Sequence, residues 1–470
     1  MKNSQLTEAL SSLNKTEFRD FGKFLRSPYF NNRSEVVRFY DAVKNFYPGF
    51  TSRSMTEETL FNKVYPQKKY NDVLMRKLIS LTINLMMDFL AIESFKESEL
   101  EYNVKLIDKL RIKKLPALFD KKIKNVDELF RNSKRSFGYY ESKYKYTTFL
   151  NWHNLEANEK SIAKLQNEID DFMEYFFSVS LLLYIRLGEW SRNFSMKFDL
   201  KFYNEVINYF SGREINDVSL SVIYFYMLML LDTEEEKYFF SLQKSRNEFE
   251  SKLHYVDNYN VSIVLIQYCY KRVMKGDTEF RRHQHNITNT ILEKKIIPEG
   301  YLEPYFFTNA IRNAYHIKEL EWTEKFINDY KHRLKPDIAE EIVDYSQAMV
   351  EFGRRNYEKS LKYLSKINLE RSNMKLDVKN LLIIIYYELN YTEELISLID
   401  TYKHFLHRDT NMSVQSKNAN TLFVNLVSDL LKIKLSEKND LALNLMMKIK
   451  KSPYSNFKDW LLKKAEELSK

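Results

Sequence analysis

Turn-forming residues are scarce in this chain, and their scarcity restricts the available folds more than any other feature. Only 8 Gly and 8 Pro occur among 470 residues, and no proline lies between Pro116 and Pro298. Average proteins carry roughly 7% Gly and 5% Pro, and the turns that join β-strands depend on Gly, Pro, Asn and Asp. Since 44% of the residues are hydrophobic, a large core is available. The sequence therefore predicts an all-α fold of long helices and short connections.

Two consecutive helical hairpins are predicted between Asp337 and Leu406. Apolar residues recur there at the three- and four-residue spacings that form one face of an α-helix. Gly353 is predicted to end the first helix, because glycine adopts the left-handed conformation at little steric cost. Asn390 stands at the corresponding place in the second hairpin, and Asn tolerates that conformation next best. Each hairpin thus has a helix A, a tight turn and a helix B.

The two hairpins also match each other at a fixed offset. The segments Asn356–Glu358 (NYE) and Asn390–Thr392 (NYT) lie 34 residues apart, which is the period of a tetratricopeptide repeat. The stretch 337–406 therefore resembles tetratricopeptide repeats, and the resemblance extends loosely to residue 470. It departs from the family where Glu394 replaces the small residue that Ser360 provides in the first hairpin, and in lacking the usual Trp and closing Pro. The resemblance implies an αα-hairpin superhelix, and a generic αα-solenoid is the alternative.

Three regions are predicted from the helical pattern. Residues 1–98 form a separate N-terminal helical unit, residues 99–335 an array of degenerate helical hairpins, and residues 336–470 tetratricopeptide-like repeats with a C-terminal capping helix. In the first region, Thr56–Tyr65 and Asp72–Phe95 invite a helix-turn-helix interpretation. The basic residues that would then face DNA are Lys68, Lys69, Arg76 and Lys77. The second of these helices is long and mostly apolar, unlike a recognition helix, so a role in the core is favoured.

A dense group of basic residues follows the first region. The formal net charge of the chain is +9, from 73 basic and 64 acidic side chains, which is a mild excess. Basic residues and tyrosines alternate between positions 109 and 145, which suits a single-stranded nucleic acid because rings stack on bases and ammonium groups contact phosphates. A solvated helix face produces the same pattern more often. The candidate nucleic-acid contacts are Lys109, Arg111, Lys113, Lys114, Lys121, Lys122 and Lys124.

The sequence contains no recognised motif for catalysis, cofactor binding or metal binding. Its glycines stand singly, so neither a P-loop nor a dinucleotide-binding loop is formed. His404, His407 and Asp400 share one helical face, but no further ligand follows at the spacing of a zinc motif. Cys269 lies in an apolar run and is predicted to be a buried, unreactive thiol. We therefore expect no enzyme activity, no cofactor and no metal.

The composition also predicts a soluble, cytoplasmic protein. The N-terminal residues lack the apolar core of a signal peptide. The longest apolar runs, such as Val222–Leu231, are shorter than the ~20 residues that cross a bilayer. A single cysteine cannot form an internal disulfide, which agrees with a reducing compartment. No membrane contact is predicted.

Three functions remain open at this point. The favoured one is a non-catalytic helical-repeat scaffold whose concave surface binds a protein or peptide partner, as extended repeat surfaces do. The second is a nucleic-acid-associated regulatory protein that uses the N-terminal unit or the basic 109–145 segment. The third is an enzyme whose site is assembled only in three dimensions. For the scaffold, the candidate partner-contacting residues on helix A of each hairpin are Gln347, Glu351, Lys379 and Asn380.

Overall fold

The fold is entirely α-helical in the part of the chain that the structure describes. The computed structural model describes residues 4–156, 162–194, 196–212, 218–369, 374–409, 412, 414–436, 440–452 and 457–470. Within these ranges it contains 23 α-helices and no β-strand, with an isolated backbone bridge between Arg135 and Leu253. The predicted all-α class is therefore confirmed.

The chain divides into two compact units, residues 1–133 with 138–172 and residues 134–137 with 173–470. The first helices in chain order are α1 (Gln5–Ser12), α2 (Lys15–Arg26), α3 (Ser34–Val43), α4 (Glu57–Val64), α5 (Asp72–Glu97), α6 (Glu99–Ile112), α7 (Pro116–Asn132), α8 (Phe137–Glu156) and α9 (Ile162–Phe194). They are followed by α10 (Tyr203–Ser211), α11 (Leu220–Thr233), α12 (Glu236–Phe249), α13 (Tyr255–Met274), α14 (Phe280–Glu293), α15 (Pro304–His316) and α16 (Leu320–Tyr330). The last are α17 (Pro336–Gly353), α18 (Tyr357–Leu364), α19 (Lys375–Leu389), α20 (Thr392–Arg408), α21 (Val414–Ser436), α22 (Asp440–Lys451) and α23 (Lys458–Leu468). The predicted boundaries at residues 98 and 335 stay predictions.

Aromatic and aliphatic side chains together form the core that α1 to α5 enclose in the first unit. Phe21 and Tyr40 are buried there, with an edge-to-face contact between ring centroids 5.9 Å apart. The Tyr40 hydroxyl donates a hydrogen bond to the carbonyl oxygen of Phe18 at 2.7 Å. A Cβ on Gly22 would lie only 2.6 Å from the Tyr40 ring. This glycine therefore permits the close approach of α2 and α3.

α5 is the central helix of that core. In the described part of the chain it is long and apolar enough to span a membrane, judged by length and composition alone. Of its 18-residue apolar stretch, 28% is buried, and Leu78, Leu85 and Phe89 lie in the core. α5 packs on α1, α2 and α3, whereas α4 packs mainly on α3. The two helices of the predicted helix-turn-helix, α4 and α5, thus pack mainly on neighbours other than each other. DNA binding by this pair stays a prediction.

A row of helical hairpins forms most of the second unit. The pairs that pack as hairpins are α11/α12, α13/α14, α15/α16, α17/α18, α19/α20 and α21/α22. The second helix of each pair also packs on the first helix of the next pair, including α16 on α17 across residue 335. First helices of neighbouring pairs contact each other at α11/α13, α15/α17 and α19/α21. Side chains from several hairpins can therefore meet on the face that the first helices share.

The turns of the two predicted hairpins are alike, but their register differs from the prediction. The residue with left-handed backbone is Arg355 in the first (φ 62°) and Asn390 in the second (φ 60°). In both turns the next N–H donates to a carbonyl five residues back, at 2.9 Å in each case. The structural offset is therefore one residue longer than the 34-residue match in the sequence.

The predicted left-handed conformation of Gly353 is wrong, because this glycine is the last residue of α17. Its role is steric. A Cβ at this position would lie 2.6 Å from Cδ2 of Leu320, at the start of α16. Gly353 thus allows the end of α17 to pack closely against the preceding hairpin, and Arg355 adopts the left-handed conformation of the turn instead.

The C-terminal helix α23 packs on α21 and α22 and also reaches α19. Nε1 of Trp460 donates to Glu388 Oε1 at 2.6 Å, and Lys464 Nζ lies 2.9 Å from Glu388 Oε2. The side chains of Lys464 and Glu388 are only 14% and 13% exposed. Phe457, directly before α23, has left-handed backbone and contacts rings of α15, α17 and α21. Through these contacts α23 and the residue before it pack against earlier hairpins.

Candidate functional site

A small polar cavity of about 60 Å³ lies within the second unit. Side chains of α13, α14, α15, α17 and α19 line it, and Phe457 forms part of its wall. α15 contributes the largest share of these residues. Its Asn309, Arg312, Asn313 and His316 follow one another at the spacing of one helix face. The stacking of hairpins thus brings together residues that are far apart in the sequence.

An ion pair between α15 and α19 lies at the cavity. Arg312 Nη1 donates to Asp377 Oδ1 at 2.9 Å, and the two side chains are 29% and 27% exposed. Nε of the same arginine is buried and has no hydrogen-bond partner. Tyr345 lies 2% exposed beside the pair, and its pKa is raised first by burial and then by the charge of Asp377. Part of the hydrogen-bonding capacity of Arg312 is therefore unused within the protein.

Three buried amides line the same wall. Gln284 and Asn309 are 3% and 6% exposed. Asn313 donates from Nδ2 to the Arg281 carbonyl at 2.8 Å, but its Oδ1 is buried without a partner. An unpaired buried polar group costs about 1–3 kcal/mol. Such groups are normally satisfied by ordered water or a ligand.

His316 on the cavity wall is uncharged at neutral pH. Burial lowers the pKa of His316 to about 3, and the positive charges of Arg281 and Arg312 lower it further in the same direction. The imidazole is therefore neutral at pH 7.

Acidification is expected to destabilise the second unit through His316. The unfolded chain binds a proton near pH 6.5 and the folded chain only near pH 3, so stability rises with pH between these values. The contribution is complete above pH 6.5 and is lost as the pH falls towards 3. At about 1.4 kcal/mol for each unit of pKa shift, and allowing for solvent screening in the cavity, we expect a loss of about 2 kcal/mol by pH 4.

Urea unfolding at pH 7 and pH 4 measures this effect. A His316→Gln variant should lose less free energy of unfolding on acidification than the original chain. His404→Gln is the matched control, because the His404 side chain is 69% exposed. Equal pH dependence in all three proteins would show that His316 does not titrate as described.

The structure brings one of the four predicted partner-contacting residues to the cavity. Asn380 lines it, whereas Gln347, Glu351 and Lys379 do not. Gln347 is half-buried. Glu351 accepts a hydrogen bond from Asn356 at 2.8 Å in the turn after α17. Lys379 is only 8% exposed, with Nζ 5.5 Å from the centroid of the Tyr402 ring, and burial lowers its pKa.

The basic segment lies on α6, α7 and the turn between them. Lys109, Lys113, Lys114, Lys121 and Lys124 are exposed, and Lys122 is half-buried. Arg111 differs, because its side chain is only 12% exposed and donates to Asp108 at 2.9 Å and to Glu156 at 2.7 Å. It also lies over the Trp152 ring, 5.0 Å from the centroid. Arg111 is therefore engaged within the protein, while the lysines remain accessible.

The tyrosines near this segment are packed rather than presented to solvent. Tyr139 and Tyr146 are 6% and 1% exposed, and the Tyr146 hydroxyl donates to Asp127 at 2.7 Å. A larger cavity of about 560 Å³ lies beside Tyr146, between α7, α8 and α9. Asp171 in its wall accepts a hydrogen bond from Thr147 at 2.5 Å. Since these carboxylates already have partners, this cavity is a weaker candidate site.

Titratable residues elsewhere offer little chemistry. In the described ranges, no group of three or more His, Cys, Asp and Glu side chains could hold a metal ion. His404 and Asp400 are 3.8 Å apart and both largely exposed. Cys269 is fully buried, as predicted, and burial raises its pKa. A thiol in this environment stays protonated and unreactive.

Comparison of the chain with models of protein families, with curated proteins and with solved structures found no match. The function is therefore inferred from the fold and from the cavity. The residues that carry this inference are Arg281, Gln284, Asn309, Arg312, Asn313 and Asp377.

Proposed function

We propose that the chain is a non-catalytic, cytoplasmic scaffold of helical repeats, tetratricopeptide-like in its C-terminal part, that binds a protein or peptide partner. One observation supports this proposal most. Side chains from the first helices of four hairpins, α13, α15, α17 and α19, meet around one cavity, together with two residues of α14. First helices that share a face form the inner surface of a repeat array, which is the surface that such proteins use for binding.

The chemistry around the cavity suits a peptide. A side-chain amide can offer a donor and an acceptor at once, as a peptide group does; Asn309 lies here, and Asn313 keeps its Oδ1 without a partner. Tyr305 of α15 is 55% exposed and lies near Tyr270 of the cavity wall, with ring centroids 6.4 Å apart. Exposed tyrosines are common anchors in protein interfaces. We place the partner across the mouth of the cavity, beside Tyr305.

Site-specific photo-crosslinking in the native cell tests this placement. A benzophenone amino acid at position 305 should capture one partner protein reproducibly. The same amino acid at Lys359, an exposed position of α18 in the second helix of its hairpin, is the control and should not capture that partner. Capture of the same protein from both positions, or from neither, would contradict binding at this face.

The exposed lysines of α6 and α7 support a second candidate function, contact with nucleic acid. A protein that neutralises several phosphates loses affinity steeply as salt rises. We expect weak binding to random RNA and DNA, with a shallow dependence on salt between 50 and about 200 mM, because Arg111 and the tyrosines are engaged within the protein. A steep slope that is reduced in a Lys113→Glu/Lys121→Glu variant would favour the nucleic-acid function instead.

A further inference from the structure

Two consecutive residues of α15 carry opposite hydrogen-bonding groups that are unused at the cavity wall. Arg312 gives Nη1 to Asp377 and keeps a buried Nε–H donor without a partner. Asn313 gives Nδ2 to the Arg281 carbonyl and keeps a buried Oδ1 acceptor without a partner. The whole Asn313 side chain lies inside the protein, since this residue is only 4% exposed. A ligand that fits the cavity therefore has to supply one acceptor and one donor.

The charge of Arg312 calls for no charged ligand. Asp377 already matches it, and Arg281, the second guanidinium of the wall, is not free either. A further charge brought into the cavity would need a counter-charge of its own. A primary amide is neutral and carries its acceptor and its donors on separate atoms. We propose that the cavity takes up a side-chain amide, that of an Asn or Gln residue in the bound partner.

A hydroxyl group also donates and accepts, but it does so from a single oxygen. Consecutive residues of a helix project about 100° apart around its axis. Arg312 Nε and Asn313 Oδ1 therefore approach the cavity from different directions. The oxygen and the nitrogen of an amide can meet two such groups at once, which favours an amide over the hydroxyl of a Ser, Thr or Tyr side chain.

The size of the cavity fits a group of a few atoms. It measures about 60 Å³, whereas one water molecule requires only about 10–15 Å³ of such space. A peptide backbone continues in both directions and needs an open groove, while a side-chain amide is attached at one end and can enter a small pocket. Tyr305, beside which the partner is placed, lies near Tyr270 of the wall. The amide pocket rests on the proposed function and gives the partner a chemical requirement.

Ligand-observed nuclear magnetic resonance of the purified full-length protein tests the pocket with four compounds of equal size, at constant ionic strength. They are acetamide, acetone, 2-propanol and sodium acetate. We expect acetamide to bind saturably in the millimolar range, as a ligand with so few atoms does, and at least fivefold more tightly than the other three. Acetone and acetate lack the donor that Asn313 Oδ1 requires, and 2-propanol holds donor and acceptor on one atom. Equal binding of all four, or no saturable binding at millimolar concentration, would overturn the proposal and leave the cavity to ordered water.

Arg312→Lys checks where the amide binds. Lysine keeps the positive charge that Asp377 requires but has no N–H at the place of Nε, so acetamide should bind severalfold more weakly. Arg282→Lys is the matched control, since Arg282 lies on α14 with a side chain that is 58% exposed. It should bind acetamide as the original chain does. Unchanged affinity in Arg312→Lys would place the amide elsewhere, and the comparison of the four compounds decides the proposal even if this variant does not fold.

Capped amino acids distinguish a peptide side chain from a free small molecule. Asparagine and glutamine that are acetylated at the amino group and methylamidated at the carboxyl group represent residues within a peptide. At least one of them should bind more tightly than the corresponding free amino acid. Preference for the free amino acid would contradict a partner side chain. Crosslinking at position 305 is a separate measurement: capture of a partner without acetamide binding refutes the amide pocket alone, whereas acetamide binding without capture refutes the scaffold function.

Discussion

Replacing Glu388 by alanine is expected to weaken the packing of α23 on the rest of the second unit. We expect the free energy of local opening of this helix to fall by about 3 kcal/mol. The carboxylate accepts a hydrogen bond from Trp460 Nε1 and pairs with Lys464, in a place where both charged side chains are about nine-tenths buried. Breaking a buried ion pair by removing one partner costs about 3–5 kcal/mol. After the substitution Lys464 still has Glu467 as an ion-pair partner at 2.8 Å. We therefore expect a loss near the lower end of this range.

Amide hydrogen exchange in Lys458–Leu468 measures this opening directly. The variant should exchange there faster by about two orders of magnitude, since ~1.4 kcal/mol corresponds to a factor of ten. Exchange in α11 to α14 should not change. Glu340→Ala on the exposed surface of α17 is the control and should leave exchange in α23 unchanged. Unaltered protection of α23 after Glu388→Ala would mean that its apolar contacts suffice.

Replacing Asn420 by leucine is expected to lower the free energy of unfolding by about 1–3 kcal/mol. Asn420 is 4% exposed, and its Oδ1 accepts hydrogen bonds from Asn380 Nδ2 at 2.7 Å and from the Tyr402 hydroxyl at 3.0 Å. Leucine would fill the space but leave Asn380 Nδ2 without its acceptor, whereas the Tyr402 hydroxyl keeps Asn380 Oδ1 at 3.1 Å. The penalty therefore comes from a buried unsatisfied donor on α19 rather than from lost volume.

Urea unfolding of Asn420→Leu and of Asn418→Leu separates the network from the general effect of the substitution. Asn418 is exposed on the same helix, and its replacement should change stability by less than about 0.5 kcal/mol. Combining Tyr402→Phe with Asn420→Leu should cost less than the sum of the two single changes, because one donor is removed together with its acceptor. Strict additivity would show that the network does not act as a unit.

The sequence predicted the fold class because that class follows from local properties. Few turn residues and apolar spacings of three and four are both visible without knowledge of tertiary contacts. The prediction of a left-handed Gly353 was wrong because of a tertiary contact. The position needs glycine because Leu320, 33 positions earlier in the chain, leaves no room for a Cβ, and not because of its own backbone conformation. Local preference and close packing both select glycine, and the sequence alone does not separate them.

The candidate site was only partly predictable. Asn309, Arg312, Asn313 and His316 form a polar stripe on the otherwise apolar α15, and this stripe is a signal that the sequence contained. Asp377, which forms the ion pair with Arg312, lies 65 residues further along the chain. No local pattern joins α15 to α19, because the order of packing among the hairpins decides which charges become neighbours. Asn380 was named among the candidates through its position on helix A, whereas Arg281 and Asp377 could be found only from the structure.

The contact of Trp460 and Lys464 with Glu388 alters how a row of hairpins would come apart. In a simple row each hairpin touches only the adjacent ones, so melting begins at an end and peels inward one hairpin at a time. Here the last helix, α23, is hydrogen-bonded to α19 through Trp460 and Glu388, which lie 72 residues apart in the chain. The helices from α19 to α23 are therefore held together at both ends and should unfold as one unit. As a result, the C-terminal end of the row should fray less readily than the other end.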